Sequence, residues 1–183
     1  MNETKRIIVM SGLPGSGKTT LGRELADIFR FEFLDKDDIL ESLLSKHVDF
    51  NTDLRSRLSR EADVIFRDQA VKAGNAILTS FWRHPTNKST AGTPSDWLPS
   101  ITKDIVEVYC HCYVETAVER FLNRKRHPGH MDHLRDRAML KTQFENLCGS
   151  WPLGFGDLIE IDTTKPINAE EVFQAISEKW AAN

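Results

Sequence analysis

Hydrophobic residues in this chain follow two kinds of pattern. Short β-branched runs are typical of buried parallel strands, and apolar residues that recur every three or four positions are typical of helices with one apolar face. The first pattern predicts strands at residues 6–11, 31–35, 76–82, 105–112 and 157–162. The second predicts helices over residues 21–29, 39–44, 53–73, 115–122, 135–147 and 168–180. Because the two kinds of element alternate, the sequence predicts an α/β fold with a parallel sheet.

A glycine-rich turn lies between the first strand and the first helix. Residues 12–19 read GLPGSGKT and match the phosphate-binding motif G-x-x-x-x-G-K-[ST] at every spacing. Glycines let the backbone curl so that successive N–H groups point at a phosphate, next to the positive end of the helix. We therefore predict a nucleoside triphosphate site. Its candidate residues are Gly12, Pro14, Gly15, Ser16, Gly17, Lys18, Thr19 and Thr20.

Two side chains of this motif are candidates for direct chemistry. Lys18 brings a mobile positive charge to the β- and γ-phosphates of ATP. The Thr19 hydroxyl follows it and is placed to bind Mg²⁺, which prefers oxygen ligands and keeps several waters.

Three aspartates cluster at the carboxyl end of the second predicted strand, at residues 35, 37 and 38. In open α/β sheets, ligands bind at the carboxyl ends of the strands, so these acids should face the phosphate-binding loop. We expect Asp35 to hold Mg²⁺ through water, and Asp37 to accept the proton of a substrate hydroxyl that attacks the γ-phosphate. A helix cap is the alternative role for any of the three, and Asp38 is the one for which we expect it.

The third predicted strand lacks the magnesium-binding aspartate that many phosphate-loop enzymes carry at its end. Ser80 or an acid of the Asp35 group would then take that role. A long polar loop follows up to Pro99, of the kind that often carries substrate specificity. Trp82 and Arg83 are candidates for an acceptor pocket, with packing under the loop as the alternative for the tryptophan.

A basic segment follows the fourth strand and ends in the turn His127-Pro-Gly. A basic helix end followed by such a turn suggests a flap that closes over an anion. Arg120, Arg124 and Arg126 are candidates for neutralising the charge on the transferring phosphoryl group, and a solvated helix face is the alternative. Thr163, at the end of the fifth strand, is a candidate contact for the adenine ring or merely shapes the turn.

Length and charge narrow the possible partners. The chain has 183 residues, 40% of them hydrophobic, which suits a single domain over residues 1–183. A net charge of -3 and a pI of about 6.1 give no reason to expect nucleic acid or an anionic membrane as partner. Three cysteines are too few and wrongly spaced for a disulfide framework, and nothing at the N-terminus resembles a signal peptide, so we expect a cytoplasmic protein.

The three motifs together resemble a known group of enzymes. They are residues 12–19, the segment Asp35-Lys-Asp-Asp-Ile, and the flap Arg120-x-x-x-Arg124-x-Arg126-His-Pro-Gly-His130. This combination resembles the small phosphate-loop kinases labelled predicted kinases or AAA-like ATPases, which are relatives of chloramphenicol phosphotransferase, gluconate and shikimate kinases, zeta toxins and polynucleotide 5′-kinase. The resemblance implies a three-layer αβα fold with a five-stranded parallel sheet in the order 2-3-1-4-5. It also implies a helical lid at about residues 120–137, Asp37 as general base and Arg124 as a lid arginine.

The expected activity is transfer of the γ-phosphate of ATP, with Mg²⁺, to a hydroxyl of a small molecule. Alternatives are a kinase of polynucleotide 5′-hydroxyls, a zeta-toxin-like kinase of sugar nucleotides, and a nucleotide-binding switch that hydrolyses ATP slowly. In several relatives a basic residue stands three positions after the general base and grips the acceptor. Leu40 stands there in this chain, which weakens the polynucleotide-kinase alternative in particular.

Overall fold

The structure is a computed structural model that describes residues 4–87 and 91–182. Its strands are, in chain order, β1 (Arg6–Ser11), β2 (Glu32–Asp35), β3 (Ala76–Thr79), β4 (Trp82–Arg83), β5 (Thr93–Pro94), β6 (Asp104–His111) and β7 (Asp157–Asp162). Its helices are α1 (Lys18–Phe29), α2 (Lys36–Leu44), α3 (Thr52–Lys72), α4 (Val114–Asn123), α5 (Arg137–Leu147) and α6 (Ala169–Ala182). The alternation read from the hydrophobic pattern is therefore confirmed.

Five of the strands form one sheet in the order β2-β3-β1-β6-β7, and all its neighbouring strands are parallel. This is the predicted order 2-3-1-4-5 once the small ribbon of β4 and β5 is left out. The ribbon arises because β3 ends at Thr79, three residues earlier than predicted. The chain then bends, and Trp82 pairs with Thr93 instead of continuing the sheet.

The helices cover both faces of this sheet. Alternate residues of the central strand β1 point to opposite sides, as the pleat requires. Ile7 and Val9 pack in a core with residues of α3, α4 and α5, while Ile8 and Met10 pack in a second core with residues of α1 and α6. The result is the three-layer αβα arrangement, with the carboxyl ends of the strands left open for a ligand.

The lid region predicted at residues 120–137 has helix only at its two ends. Between α4 and α5 the chain makes two 3₁₀ turns, Pro128–His130 and Asp132–Leu134. The first turn is docked on α2, because Gly129 is buried and a Cβ atom there would lie 2.7 Å from Leu44 Cδ2. Among the described residues, no helix has both the length and the apolar character needed to span a bilayer.

Candidate active site

The phosphate-binding loop joins β1 to α1. Gly12, Gly15 and Gly17 all have positive φ angles, of 126°, 82° and 86°. A side chain at Gly12 would collide with the carbonyl oxygen of Cys110 in β6, so glycine is needed there for close approach as well as for conformation. The loop thus has the glycine-dependent backbone that the motif predicts.

Lys18 is folded back onto its own loop. Its Nζ atom donates to the carbonyl oxygens of Gly12, at 2.9 Å, and of Leu13, at 2.7 Å. Burial lowers the pKa of Lys18 to about 8, against smaller opposing effects that include the charge of Asp35. The hydrogen-bond partners of the ammonium group are therefore neutral carbonyl oxygens. Replacing them with negatively charged phosphate oxygens would lower the free energy of the bound state.

This environment predicts a pH dependence of ATP binding. In the free protein Lys18 loses its proton as the pH rises through about 8, whereas bound phosphates hold that proton in place. Binding above that pH must take up a proton, so ATP affinity should fall by up to about tenfold per pH unit. Calorimetry across this range, in buffers of different ionisation enthalpy, measures both the affinity and the proton uptake. Lys18→Met should bind weakly without this pH dependence, and an equally steep profile in that variant would contradict the assignment.

Asp35 links the loop to the start of α2. Its Oδ2 atom accepts a hydrogen bond from Thr19 Oγ1 at 3.1 Å, and its Oδ1 atom accepts one from the backbone N–H of Asp37 at 2.9 Å. Asp35 is therefore the N-cap of α2. The prediction that Asp38 is the cap was wrong, because α2 begins at residue 36 and Asp38 instead pairs with Arg23 at 2.8 Å on the surface.

The Asp35 carboxyl group is held in an unfavourable environment for a charge. Burial, and then the like charge of Asp37, raises the pKa of Asp35 to about 6. A buried carboxylate next to the Thr19 hydroxyl is a donor set that suits Mg²⁺ bound mainly by water and phosphate. No cluster of three metal-binding side chains occurs within residues 4–87 and 91–182.

Asp37 forms an ion pair with the segment that was predicted to be a lid. Arg126 Nη2 lies 2.6 Å from Asp37 Oδ2, and the Asp37 side chain is 49% exposed. Arg126 Nη1 also lies 3.3 Å from Asp132 Oδ2, an oxygen that Arg124 approaches at 3.4 Å. Asp132 was not among the predicted site residues, although an acidic residue inside a basic segment is a signal for a side chain that organises the arginines around it.

The charge of Asp37 is set by these neighbours. Burial acts to raise its pKa, but the positive charges of Arg126, His130 and Arg124 outweigh burial and lower the pKa overall. Asp37 is therefore ionised at neutral pH. An ionised carboxylate is the form that can accept a proton.

Arg120 is fixed at the end of β7. It donates from Nη1 to Thr163 Oγ1 at 3.1 Å and from Nη2 to the Thr163 carbonyl oxygen at 2.7 Å. Thr163 Oγ1 in turn donates to the carbonyl oxygen of His111 at 3.2 Å. The two residues predicted to contact the nucleotide thus hold each other at the cavity wall.

A cavity of about 640 Å³ collects most of the candidate residues. This volume suits a small-molecule ligand. The predicted residues that line it are Gly15, Gly17, Lys18, Thr19, Thr20, Asp35, Asp37, Ser80, Arg120, Arg124 and Thr163. Sequence analysis missed six others, Leu21, Glu24, Thr79, Phe81, Lys165 and Ile167. Thr79 and Phe81 flank Ser80 at the end of β3, and Lys165 and Ile167 follow β7, so their place at the carboxyl edge of the sheet was the available signal.

The candidates for the acceptor pocket after β3 need correction. Trp82 is 1% exposed and packs between Phe66 and Trp97, and its Nε1 atom donates to the Met10 carbonyl oxygen at 2.9 Å. It belongs to the hydrophobic core. Arg83 pairs in the small ribbon and does not line the cavity, because the early end of β3 turns this segment away from the sheet edge.

Comparison with known proteins agrees with this architecture. The sequence model of a family described as AAA domain (AAA_33) matches residues 7–146. The chain is 26% identical to a shikimate kinase of Clostridium botulinum over 148 residues, which are 76% of this chain and 78% of that protein. A solved structure from Chloroflexus aurantiacus superposes with a TM-score of 0.77 at 22% identity, over 97% of this chain and 99% of that one. For shikimate kinase from Bacteroides thetaiotaomicron the TM-score is 0.60 at 15% identity, over 94% and 97% of the two chains.

Proposed function

We propose, since the chain belongs to the AAA domain family and is a relative of small P-loop kinases, that it transfers the γ-phosphate of ATP to a hydroxyl group of a small molecule. The proposal treats residues 1–183 as one kinase domain in a reducing cytoplasm. Three free cysteine thiols suit that compartment.

The observation that carries this proposal is the position of Asp37. It lines the same cavity as Lys18 and Thr19 of the phosphate-binding loop, and a lid arginine keeps it ionised. A switch that only binds and slowly hydrolyses ATP has no need for a charged carboxylate held by an arginine of the segment between α4 and α5. A kinase needs one to receive the proton of its acceptor.

The donor side of the cavity binds ATP. Lys18 exchanges its two loop carbonyls for oxygens of the β- and γ-phosphates, and the loop N–H groups hold the remaining phosphate oxygens. Thr19 and Asp35 are the residues that would hold Mg²⁺, since the Thr19 hydroxyl and the Asp35 carboxylate lie together beside the loop. The ion, when bound with ATP, neutralises charge that develops on the phosphates.

The acceptor side supplies the hydroxyl and removes its proton. The acceptor oxygen forms a bond to the γ-phosphorus, and the bond from that phosphorus to the bridging oxygen breaks, which leaves ADP with the electron pair. The hydroxyl proton passes to Asp37. As the acceptor enters, Arg126 leaves Asp37 and pairs with Asp132 alone, whose Oδ2 atom already lies 3.3 Å from Arg126 Nη1. Arg120 and Arg124 neutralise the charge of the transferring group.

The same residues would serve a kinase of sugar nucleotides or of polynucleotide ends, so the acceptor class is the open part of the proposal. Leu40, at the position where several relatives grip an anionic acceptor group, is 2% exposed and packs in a core between α2 and α3. It offers the acceptor neither charge nor surface. This favours a small acceptor over a nucleic-acid end.

ATP consumption tests the proposal. The purified chain with Mg²⁺ is assayed alone, with pooled sugars, nucleosides and antibiotics, and with 5′-hydroxyl oligonucleotides. Turnover that depends on a small-molecule pool, is lost in Lys18→Ala and persists in the exposed-lysine control Lys46→Ala supports it. Stimulation by the oligonucleotides alone would favour the polynucleotide-kinase alternative. A slow background that no pool raises would favour the switch.

A further inference from the structure

A chain of hydrogen bonds runs from the cavity wall at Ser80 into the interior of the protein. Ser80 Oγ lies 2.7 Å from Thr93 Oγ1, and Thr93 Oγ1 lies 2.8 Å from Asp63 Oδ1. Lys36 Nζ lies 3.0 Å from the same carboxylate oxygen and donates to Ser59 Oγ at 2.8 Å. We call Ser80, Thr93, Asp63 and Lys36 the relay. Its members come from four separate segments, and none of its three inner residues lines the cavity.

The relay determines where the hydroxyl protons point. Asp63 pairs with the Lys36 ammonium and is therefore a carboxylate, which accepts hydrogen bonds and donates none. Thr93 has a single O–H and gives it to Asp63. The bond between the two hydroxyls must then be donated by Ser80. With its only proton directed at Thr93, Ser80 Oγ can only accept any further hydrogen bond.

Ser80 is the residue directly beyond the end of β3. In the sheet, Thr79 is paired with Asp35 on one side and with Met10, next to the phosphate-binding loop, on the other. Ser80 is buried and still lines the cavity. It occupies the strand end where this sequence lacks the magnesium-binding aspartate of many phosphate-loop enzymes.

We propose that the relay makes Ser80 Oγ a fixed hydrogen-bond acceptor for a water bound to Mg²⁺, so that a serine with an oriented proton takes the place of the missing aspartate. Thr93, Asp63 and Lys36 are positioning residues, since they act only through Ser80. This inference rests on the proposed function, because it concerns the ion that accompanies ATP.

The test measures nucleotide affinity without an acceptor. Calorimetry gives the Kd of ATP for the purified chain in EDTA and in excess Mg²⁺, and the ratio of the two is the magnesium gain. Ser80→Ala is expected to reduce this gain by about tenfold, since a hydrogen bond to a charged partner is worth roughly that factor, and to leave the Kd in EDTA within about twofold. The exposed-serine control Ser56→Ala should change neither value.

Variants at Thr93 distinguish the orientation of the Ser80 proton from a general effect on the fold. Thr93→Val keeps the shape but removes the hydroxyl, so Ser80 is free to turn its proton towards the cavity, and the magnesium gain should fall by about three- to fivefold. Thr93→Ser should restore it. The double variant Ser80→Ala/Thr93→Val should lose no more than Ser80→Ala alone, because both changes act on one interaction.

Three results would overturn the inference. An unchanged magnesium gain in Ser80→Ala refutes it and leaves the proposed kinase activity standing. If Thr93→Val loses the same amount of ATP affinity in EDTA as in Mg²⁺, and Thr93→Ser does not restore it, the relay only supports the fold. Failure of the wild-type chain to bind ATP under either condition would refute the inference and the proposed function together.

Discussion

Asp37→Asn is expected to lower kcat by about 10²- to 10⁴-fold, the usual contribution of a general base, while the Kd of ATP stays within about threefold. Asparagine has almost the same shape but cannot accept the proton of the acceptor. The phosphate-binding loop and Lys18 are untouched, so nucleotide binding persists. Steady-state kinetics with a stimulating pool, together with ATP calorimetry, measure the two quantities.

Loss of the ion pair between Asp37 and Arg126 should have little effect on stability. The carboxylate is about half exposed, and such pairs contribute at most about 1 kcal/mol. The control is Asp38→Asn, because Asp38 is the next residue, is exposed and forms a surface ion pair with Arg23. Turnover in Asp37→Asn that equals turnover in Asp38→Asn would remove Asp37 from the mechanism.

Asp35→Asn is expected to stabilise the metal-free protein at neutral pH. Burial and Asp37 raise the pKa of Asp35 from 3.8 to about 6, so above that pH the folded state must carry a buried charge that it disfavours. A shift of about two pKa units corresponds to at most about 3 kcal/mol. Asparagine can still accept from the Asp37 N–H as the N-cap of α2. We therefore expect a gain of about 1 to 3 kcal/mol in the free energy of unfolding.

The size of this effect depends on pH in a defined way. Because the folded pKa is raised, the stability contributed by the Asp35 carboxyl group is present below about pH 4 and is lost as the pH rises through about 6. The advantage of Asp35→Asn should thus be full at pH 7 and disappear towards pH 4. Urea unfolding in EDTA at both pH values measures it, with Asp38→Asn as the matched control. A variant that is less stable than wild type at pH 7 would show that Asp35 is not a strained charge.

The same substitution should weaken the response to Mg²⁺ and ATP. In the proposed function, Mg²⁺ would compensate the buried charge of Asp35 in the wild-type protein, and an uncharged amide would gain nothing comparable from the ion. Adding Mg²⁺ and ATP should therefore reverse the order of stability of the two proteins. A residue that costs stability without ligand and recovers it with ligand is typical of a functional site.

Local chemistry explains which parts of the site could be predicted from the sequence. The phosphate-binding loop depends on eight consecutive residues, and its backbone follows from Gly12, Gly15 and Gly17 alone. The five main strands follow from a hydrophobic pattern that each strand carries by itself, whereas their order in the sheet was implied only by the resemblance to small phosphate-loop kinases. The cap of α2 was misassigned because the apolar periodicity begins at residue 39, whereas the bond from the Asp37 N–H to Asp35 starts the helix at residue 36.

Contacts between distant residues explain what the sequence could not reveal. Arg126 was a candidate for contact with the transferring phosphoryl group, and nothing near it in the sequence indicates that it reaches Asp37 in α2. Trp82 was predicted to lie at the end of a strand over residues 76–82, but β3 ends at Thr79. The pairing of Asp63 with Thr93 joins α3 to a polar loop that has no periodicity.

The central claim is that the γ-phosphate of ATP reaches an organic hydroxyl and not water. ATP labelled in the γ-phosphate is incubated with Mg²⁺, the purified chain and a protein-free filtrate of small cell metabolites, and the products are separated into organic phosphates and inorganic phosphate. We expect label in an organic phosphate with wild type and with Asp38→Asn, and none above background with Asp37→Asn. Label found only in inorganic phosphate, at the same rate in all three proteins, would contradict the kinase assignment.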